Sequence, residues 1–144
     1  MLPVPMRRDT HEERDPVKPR YYLLTFIYCA GLFWLSSSEN PVNVRMSFSG
    51  EDKIVHAVLY AGLASVVSVG MRRSGIPKTA VVQFWVPILF ATLYGMSDEL
   101  HQRFVPHRTC DIWDAAADAF GAFVVQLFLC RCVWGLRLRG TKGG

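Results

Sequence analysis

The sequence predicts an all-α protein, an integral membrane four-helix bundle with both termini in the cytoplasm and a disordered polar N-terminal tail. Three observations lead there. Four apolar runs approach the roughly 20 residues that a helix needs to cross a bilayer core about 30 Å thick. Lys and Arg are divided unequally among the segments that flank and join those runs. Apolar residues make up 51% of the 144-residue chain and charged residues only 19%, which is too apolar for a soluble domain once the polar ends are set aside.

Residues 1–20 hold Arg7, Arg8, Asp9, Glu12, Glu13, Arg14, Asp15, Lys18 and Arg20 among four prolines, a composition that cannot build a core. The first apolar run, Tyr21 to Ser38, follows this basic segment as a signal peptide would. Ser36-Ser37-Ser38-Glu39 is a poor cleavage site, however, and Phe26-Ile27-Tyr28 lacks the small residues of a lipoprotein site before Cys29. Three more runs follow, so an uncleaved helix is expected. The second run extends from about Asp52 to Gly70 and closes on Met71-Arg72-Arg73-Ser74-Gly75. The third extends from Thr79 to about Asp98, with Pro87 as an expected kink. The fourth extends from about Asp111 to Cys130, so that residues 21–133 form the membrane domain and residues 134–144 a basic cytoplasmic tail.

Orientation follows from the cations near the ends of the runs. Twelve Lys and Arg flank the first run, join the second to the third, or follow the fourth. Only Arg45, Lys53, Arg103 and Arg108 fall on the other side. Cations favour the cytoplasmic face, which places both termini there. The same punctuation argues against a nucleic-acid partner, which would require the cations on one folded stripe. The expected partner is the lipid bilayer. Cys29, Cys110, Cys130 and Cys132 fit no metal spacing and include no C-x-x-C, so free thiols are expected, with Cys110 outside.

Depth along the helices then sorts the polar residues. Asp52 falls at the outer boundary, with His56 about 6 Å and Tyr60 about 12 Å deeper on one face, and Lys53 beside it. The third run delivers Asp98 and Glu99 to that boundary, with His101, Gln102 and Arg103 on the turn beyond. The fourth opens with Asp111, Asp114 and Asp118 at i, i+3 and i+7, and places Asp118 about 10 Å below Asp111. Ala115, Ala119, Gly121 and Ala122 beside that stripe permit close helix approach. Carboxylates at such depth cost about 2.5 kcal/mol or more each, so they are expected to face the interior beside cations. Asp52 and Asp111 could instead be helix caps, and Arg108 could form a purely structural pair with an aspartate. Capping does not reach His56, Asp114 or Asp118, which lie beyond the first turn.

These residues carry a resemblance. Asp52-Lys53-Ile54-Val55-His56 with Tyr60 resembles the D-K-x-x-H-x-x-x-Y opening of the VanZ-like family. The stretch from Asp98-Glu99 through Gln102, Phe104 and Pro106 to Arg108 resembles its D-E-x-x-Q-x-F-x-P-x-R segment. Asp111, Asp114, Asp118 and Gly121 continue the pattern. The likeness covers about Tyr21 to Leu129. Two positions depart from it: His107 stands where the family commonly has Gly, and Asp118 where it commonly has Asn. The resemblance implies a four-helix membrane protein, and the name-giving member is associated with teicoplanin resistance.

Three functions suit this pattern. The first is binding of a cell-envelope or lipid-linked ligand in a polar cleft at the outer leaflet, by Asp52, Lys53, Tyr60, Glu99, Gln102, Arg108, Asp111 and Asp118. The second is an enzyme acting on a lipid-linked phosphate or glycolipid, with His56 as acid or base and Asp98 and Asp114 as catalytic partners. Arg108 and Lys53 would clamp a phosphate or carboxylate. The third is a small ion-coupled transporter, although transport sites usually lie near the midplane. No ligand spacing singles out a metal; a variant of the enzyme reading has Asp98, Glu99, Asp114 and His56 around a divalent ion. No cofactor is indicated. There is no G-x-S-x-G or glycine-rich phosphate loop, and Ser97 is the only hydroxyl beside these acids.

Overall fold

In the computed structural model the described residues are 19–38, 50–76, 79–106 and 110–135, and among them the only regular structure is helical. Helix α1 spans Pro19–Ser37, α2 Glu51–Arg73, α3 Ala80–Gln102 and α4 Ile112–Phe128, the last running on as a π-helical turn over Leu129–Val133. Helices α2, α3 and α4 are long and apolar enough to cross a membrane. Helix α1 has 19 residues, opens on Pro19-Arg20, and is not in that group. Residues 1–18 of the expected polar N-terminal tail, 107–109 of the loop that carries Arg108, and 136–144 of the basic tail lie outside the described residues, as do Arg45 and Lys78.

The ends of the helices follow from local chemistry. Gly50, at φ 108°, leads into α2 with no side-chain cap, so Asp52 does not cap this helix. Asp111 does cap α4, its carboxylate accepting from the Trp113 N–H at 2.9 Å. Thr79 caps α3. Helix α2 stops at Gly75, whose φ of 66° suits glycine, with Arg72 and Arg73 placed favourably in its last turn. Helix α3 does not stop near Asp98, as the sequence suggested. It runs on to Gln102, because Asp98 and Glu99 find partners without leaving the helix and no breaker occurs before Pro106.

Helices α2, α3 and α4 pack against one another, most extensively α2 on α4, with α1 laid against α2 and α3. Leu32, Tyr60, Leu63, Ala64, Ala91 and Ala122 form the main buried cluster. Phe26, Trp34, Phe104, Ile112 and Phe120 point outward and are well exposed, as residues bordering lipid would be. Two phenols fasten α1 by donating to helix carbonyls: Tyr28 to Leu59 at 2.9 Å, and Tyr94 to Cys29 at 2.7 Å. At the α1 C-terminus, Ser37 Oγ lies 3.1 Å from His101 Nε2.

Two features permit this packing. Pro87 has no N–H to offer the carbonyl four residues earlier, that of Gln83. Gln126 of α4 supplies the missing donor at 2.7 Å. Gln126 also donates to Ser68 Oγ at 2.9 Å, and the Gln83 amide donates to the Ser68 carbonyl at 3.0 Å, so a neutral buried network joins the three helices. At the other crossing Gly121 rests directly on the Ala57 backbone, and a methyl group there would collide with the Ala57 carbonyl. Gly121→Ala should therefore destabilise the fold by about 1–3 kcal/mol. Gly31→Ala, which meets nothing within 4 Å, should stay within about 0.5 kcal/mol. Reversible unfolding in lipid bicelles measures both, and equal values would show that α2 and α4 separate without penalty.

Candidate functional site

Lys53, in the first turn of α2, gathers the acids of two helices. Its ammonium donates to Asp111 Oδ2 at 2.9 Å, Asp114 Oδ1 at 3.0 Å and Asp52 Oδ2 at 3.2 Å. The arrangement follows from helical spacing: Asp111 at the start of α4 and Asp114 three residues on share a face that meets α2. The Trp113 N–H and the Lys53 ammonium together hold the Asp111 carboxyl below its ordinary range, since both stabilise the anion. Asp111 thus caps its helix and binds a cation with different oxygens.

One turn deeper is His56. Its Nδ1 lies 3.1 Å from Asp118 Oδ1 and 3.9 Å from Glu99 Oε1. Asp118 is fully buried and sits over Gly95 of α3, where any side chain would overlap the carboxylate. Glu99 Oε2 accepts from the Asp111 backbone N–H at 3.0 Å, so α3 closes on the start of α4. Its other oxygen has no hydrogen-bond partner among the described residues, nor does Asp118 Oδ2. Tyr60 follows on the same face of α2, its ring parallel to that of His56 with centroids 6.2 Å apart. Its hydroxyl is buried near Asp98 without an acceptor in hydrogen-bonding geometry among the described residues.

The structure therefore brings Asp52, Lys53, His56, Glu99, Asp111, Asp114 and Asp118 into one connected cluster. Asp98 is turned toward Tyr60 and Gln102, whose amide donates to it at 3.4 Å. One ligand atom each of His56, Glu99 and Asp114 lies within 4.8 Å of the other two, a set that does not include Asp98. Arg108 and its neighbour His107 lie outside the described residues. Ser97 donates to the Tyr94 carbonyl at 2.7 Å and is exposed, away from the cluster. The four cysteines are free, Cys110 and Cys132 exposed.

Sequence reasoning placed Lys53 beside the active face, whereas it is the hub. It also missed Gly95, which makes room for Asp118, and the Ser68–Gln83–Gln126 network. A glutamine inside an apolar run was the available signal for the network. For Gly95 the signal was its place one turn after Ala91 on the helix face that meets α4.

A groove of about 650 Å³ adjoins the cluster between α2 and α4. Ala57, Val58, Ala61, Phe120, Val124 and Phe128 line it, and Lys53 stands at its polar end.

A family model described as VanZ/LLP1 matches residues 1–133. No curated protein and no solved structure matches the chain.

The His56–Asp118 contact is the deepest charged contact between α2 and α4. A double-mutant cycle with His56→Ala and Asp118→Ala should yield a coupling of about 1–2 kcal/mol, the upper part of the range for polar contacts between membrane helices. Unfolding in bicelles reads it, and a coupling indistinguishable from zero would mean that the two side chains do not interact.

Proposed function

The chain belongs to the VanZ/LLP1 family, and on that footing we propose that it binds an amphiphilic ligand, lipid-linked or from the cell envelope, across the α2–α4 face. The observation that carries this reading is the continuity of an apolar groove with a charged rim. The groove is within the size range of ordinary ligand pockets, and it ends at Lys53, where Asp52 and Asp111 also stand. An alkyl or isoprenoid chain fits the apolar wall. Carboxylates outnumber Lys53 at the rim, so the head they suit offers hydroxyl or amine donors, as a glycan or aminated headgroup does. A bare phosphate would compete with three acids for one ammonium already bonded to them.

Filling the groove tests this. Ala61→Trp should lower the affinity for a photoreactive isoprenoid glycolipid by about tenfold, which corresponds to about 1.4 kcal/mol, with the fold intact by circular dichroism. Crosslinking in nanodiscs reads it, and unchanged labelling would remove the groove from the reading.

A membrane enzyme acting on a lipid-linked phosphate or glycolipid is the second reading, favoured by the His56–Asp118 contact. A carboxylate at 3.1 Å fixes the orientation of the ring, as an acid–base histidine requires. Under that reading His56→Ala abolishes turnover of the glycolipid while crosslinking to the groove persists.

We place the cluster on the outer face of the bacterial cytoplasmic membrane, with both termini inside. The distribution of Lys and Arg supports this orientation. Helix α1 then crosses as well: 19 residues rise about 28 Å, and Leu23, Phe26, Ile27 and Trp34 are outward-facing. Cys110 and Cys132 are exposed at opposite ends of α4, so single-cysteine variants carry their own control. An impermeant maleimide on intact cells should label Cys110 and spare Cys132; the reverse pattern would invert the topology.

A further inference from the structure

Two carboxylate oxygens in the cluster are buried without a hydrogen-bond partner among the described residues, Glu99 Oε1 and Asp118 Oδ2. Their residues are 4% and 0% exposed. An anionic oxygen withdrawn from water with nothing to answer it costs several times what a satisfied one does. Glu99 is not free to swing outward, because its second oxygen is fixed by the Asp111 N–H at 3.0 Å. Its unpartnered oxygen is held facing the imidazole, 3.9 Å from Nδ1. Around it, three helices each contribute one donor: His56 from α2, Glu99 from α3 and Asp114 from α4.

We propose that His56, Glu99 and Asp114 together bind a divalent transition-series cation. One nitrogen and two carboxylate oxygens form the mixed donor set that suits Mn²⁺ or Zn²⁺ more than Mg²⁺ or Ca²⁺. Ligand atoms around such an ion stand about 3–4 Å apart. Here they lie within 4.8 Å of one another, so closure needs only a small side-chain movement. Asp118 Oδ1, 3.1 Å from the imidazole Nδ1, holds the ring in place. Lys53 occupies Asp114 Oδ1 at 3.0 Å, and a carboxylate can serve a second partner through its other oxygen.

The charge balance points the same way. Asp52, Glu99, Asp111, Asp114 and Asp118 are faced by Lys53 and His56 among the described residues, an excess of negative charge that a divalent ion offsets. The cation site does not depend on the amphiphile in the groove, and its test uses no lipid-linked ligand.

Full-length chain in nanodiscs, stripped with chelator, is titrated with Mn²⁺ and followed by electron paramagnetic resonance. Mn²⁺ is the probe because thiols bind it poorly, which removes the four cysteines from the result. The expected outcome is saturable binding of one ion per chain, with spin-echo modulation from a single imidazole nitrogen. Glu99→Gln, nearly the same shape, should weaken binding about tenfold or more. His56→Gln should abolish the nitrogen modulation. Absence of saturable binding at millimolar Mn²⁺, or saturable binding without nitrogen modulation in the unmodified chain, would overturn the proposal. That measurement on the unmodified chain decides the matter even if a variant does not fold.

Discussion

Lys53 lies within 3.2 Å of carboxylates from both α2 and α4, and the outer half of the bundle is organised around that contact. Acids at the end of a membrane helix are tolerated only where cations or hydrogen-bond donors answer them. Lys53 answers Asp52, Asp111 and Asp114. The Asp111 backbone N–H answers Glu99, and His56 answers Asp118. Each of these pairings except Lys53–Asp52 crosses from one helix to another. The start of α4 is therefore tied to α2 and α3 at the same level, and the depth of every other side chain follows from that register.

The close crossing of α2 and α4 is the second condition. Gly121 lying on the Ala57 backbone brings the two helices together at the residue next to His56, and Gly95 admits Asp118 against α3. Without these two glycines Asp118 could not be fully buried within reach of His56. The small residues and the charged ones are thus parts of one arrangement: the glycines set a separation short enough for the 3.1 Å contact.

The faces were legible in the sequence, because helical periodicity fixes which residues share a side and the cost of charge in lipid fixes which side turns inward. Asp111, Asp114 and Asp118 turn toward α2, and His56 and Tyr60 share one face of α2. What failed to show depends on partners in other helices. Asp52 looks like a cap by position, but Lys53 is its neighbour and Gly50 begins the helix. Asp98 and Glu99 are adjacent in sequence and point to different partners, since neighbouring residues on a helix diverge by about 100°. The end of α3 was misplaced for a related reason: acidic residues read as a boundary become interior when Gln102 of the same helix answers Asp98 and the start of α4 answers Glu99. The Gln126 bond to the Gln83 carbonyl could not be seen without knowing that α4 crosses α3 beside Pro87.

The two ends of the bundle solve the same problem with different chemistry. At the end near Ser68, Gln83 and Gln126 a neutral amide network joins three helices, and an amide oxygen left over on each glutamine carries no net charge. That is sufficient to hold membrane helices together, since polar contacts between them contribute about 0.6 kcal/mol each on average. The end near His56 joins the same three helices at greater electrostatic cost, with acids that outnumber the cations beside them among the described residues. Packing alone does not call for that excess, because the opposite end packs without it. Among the described residues two carboxylate oxygens there remain without a hydrogen-bond partner, and it is on them that the proposed cation site rests.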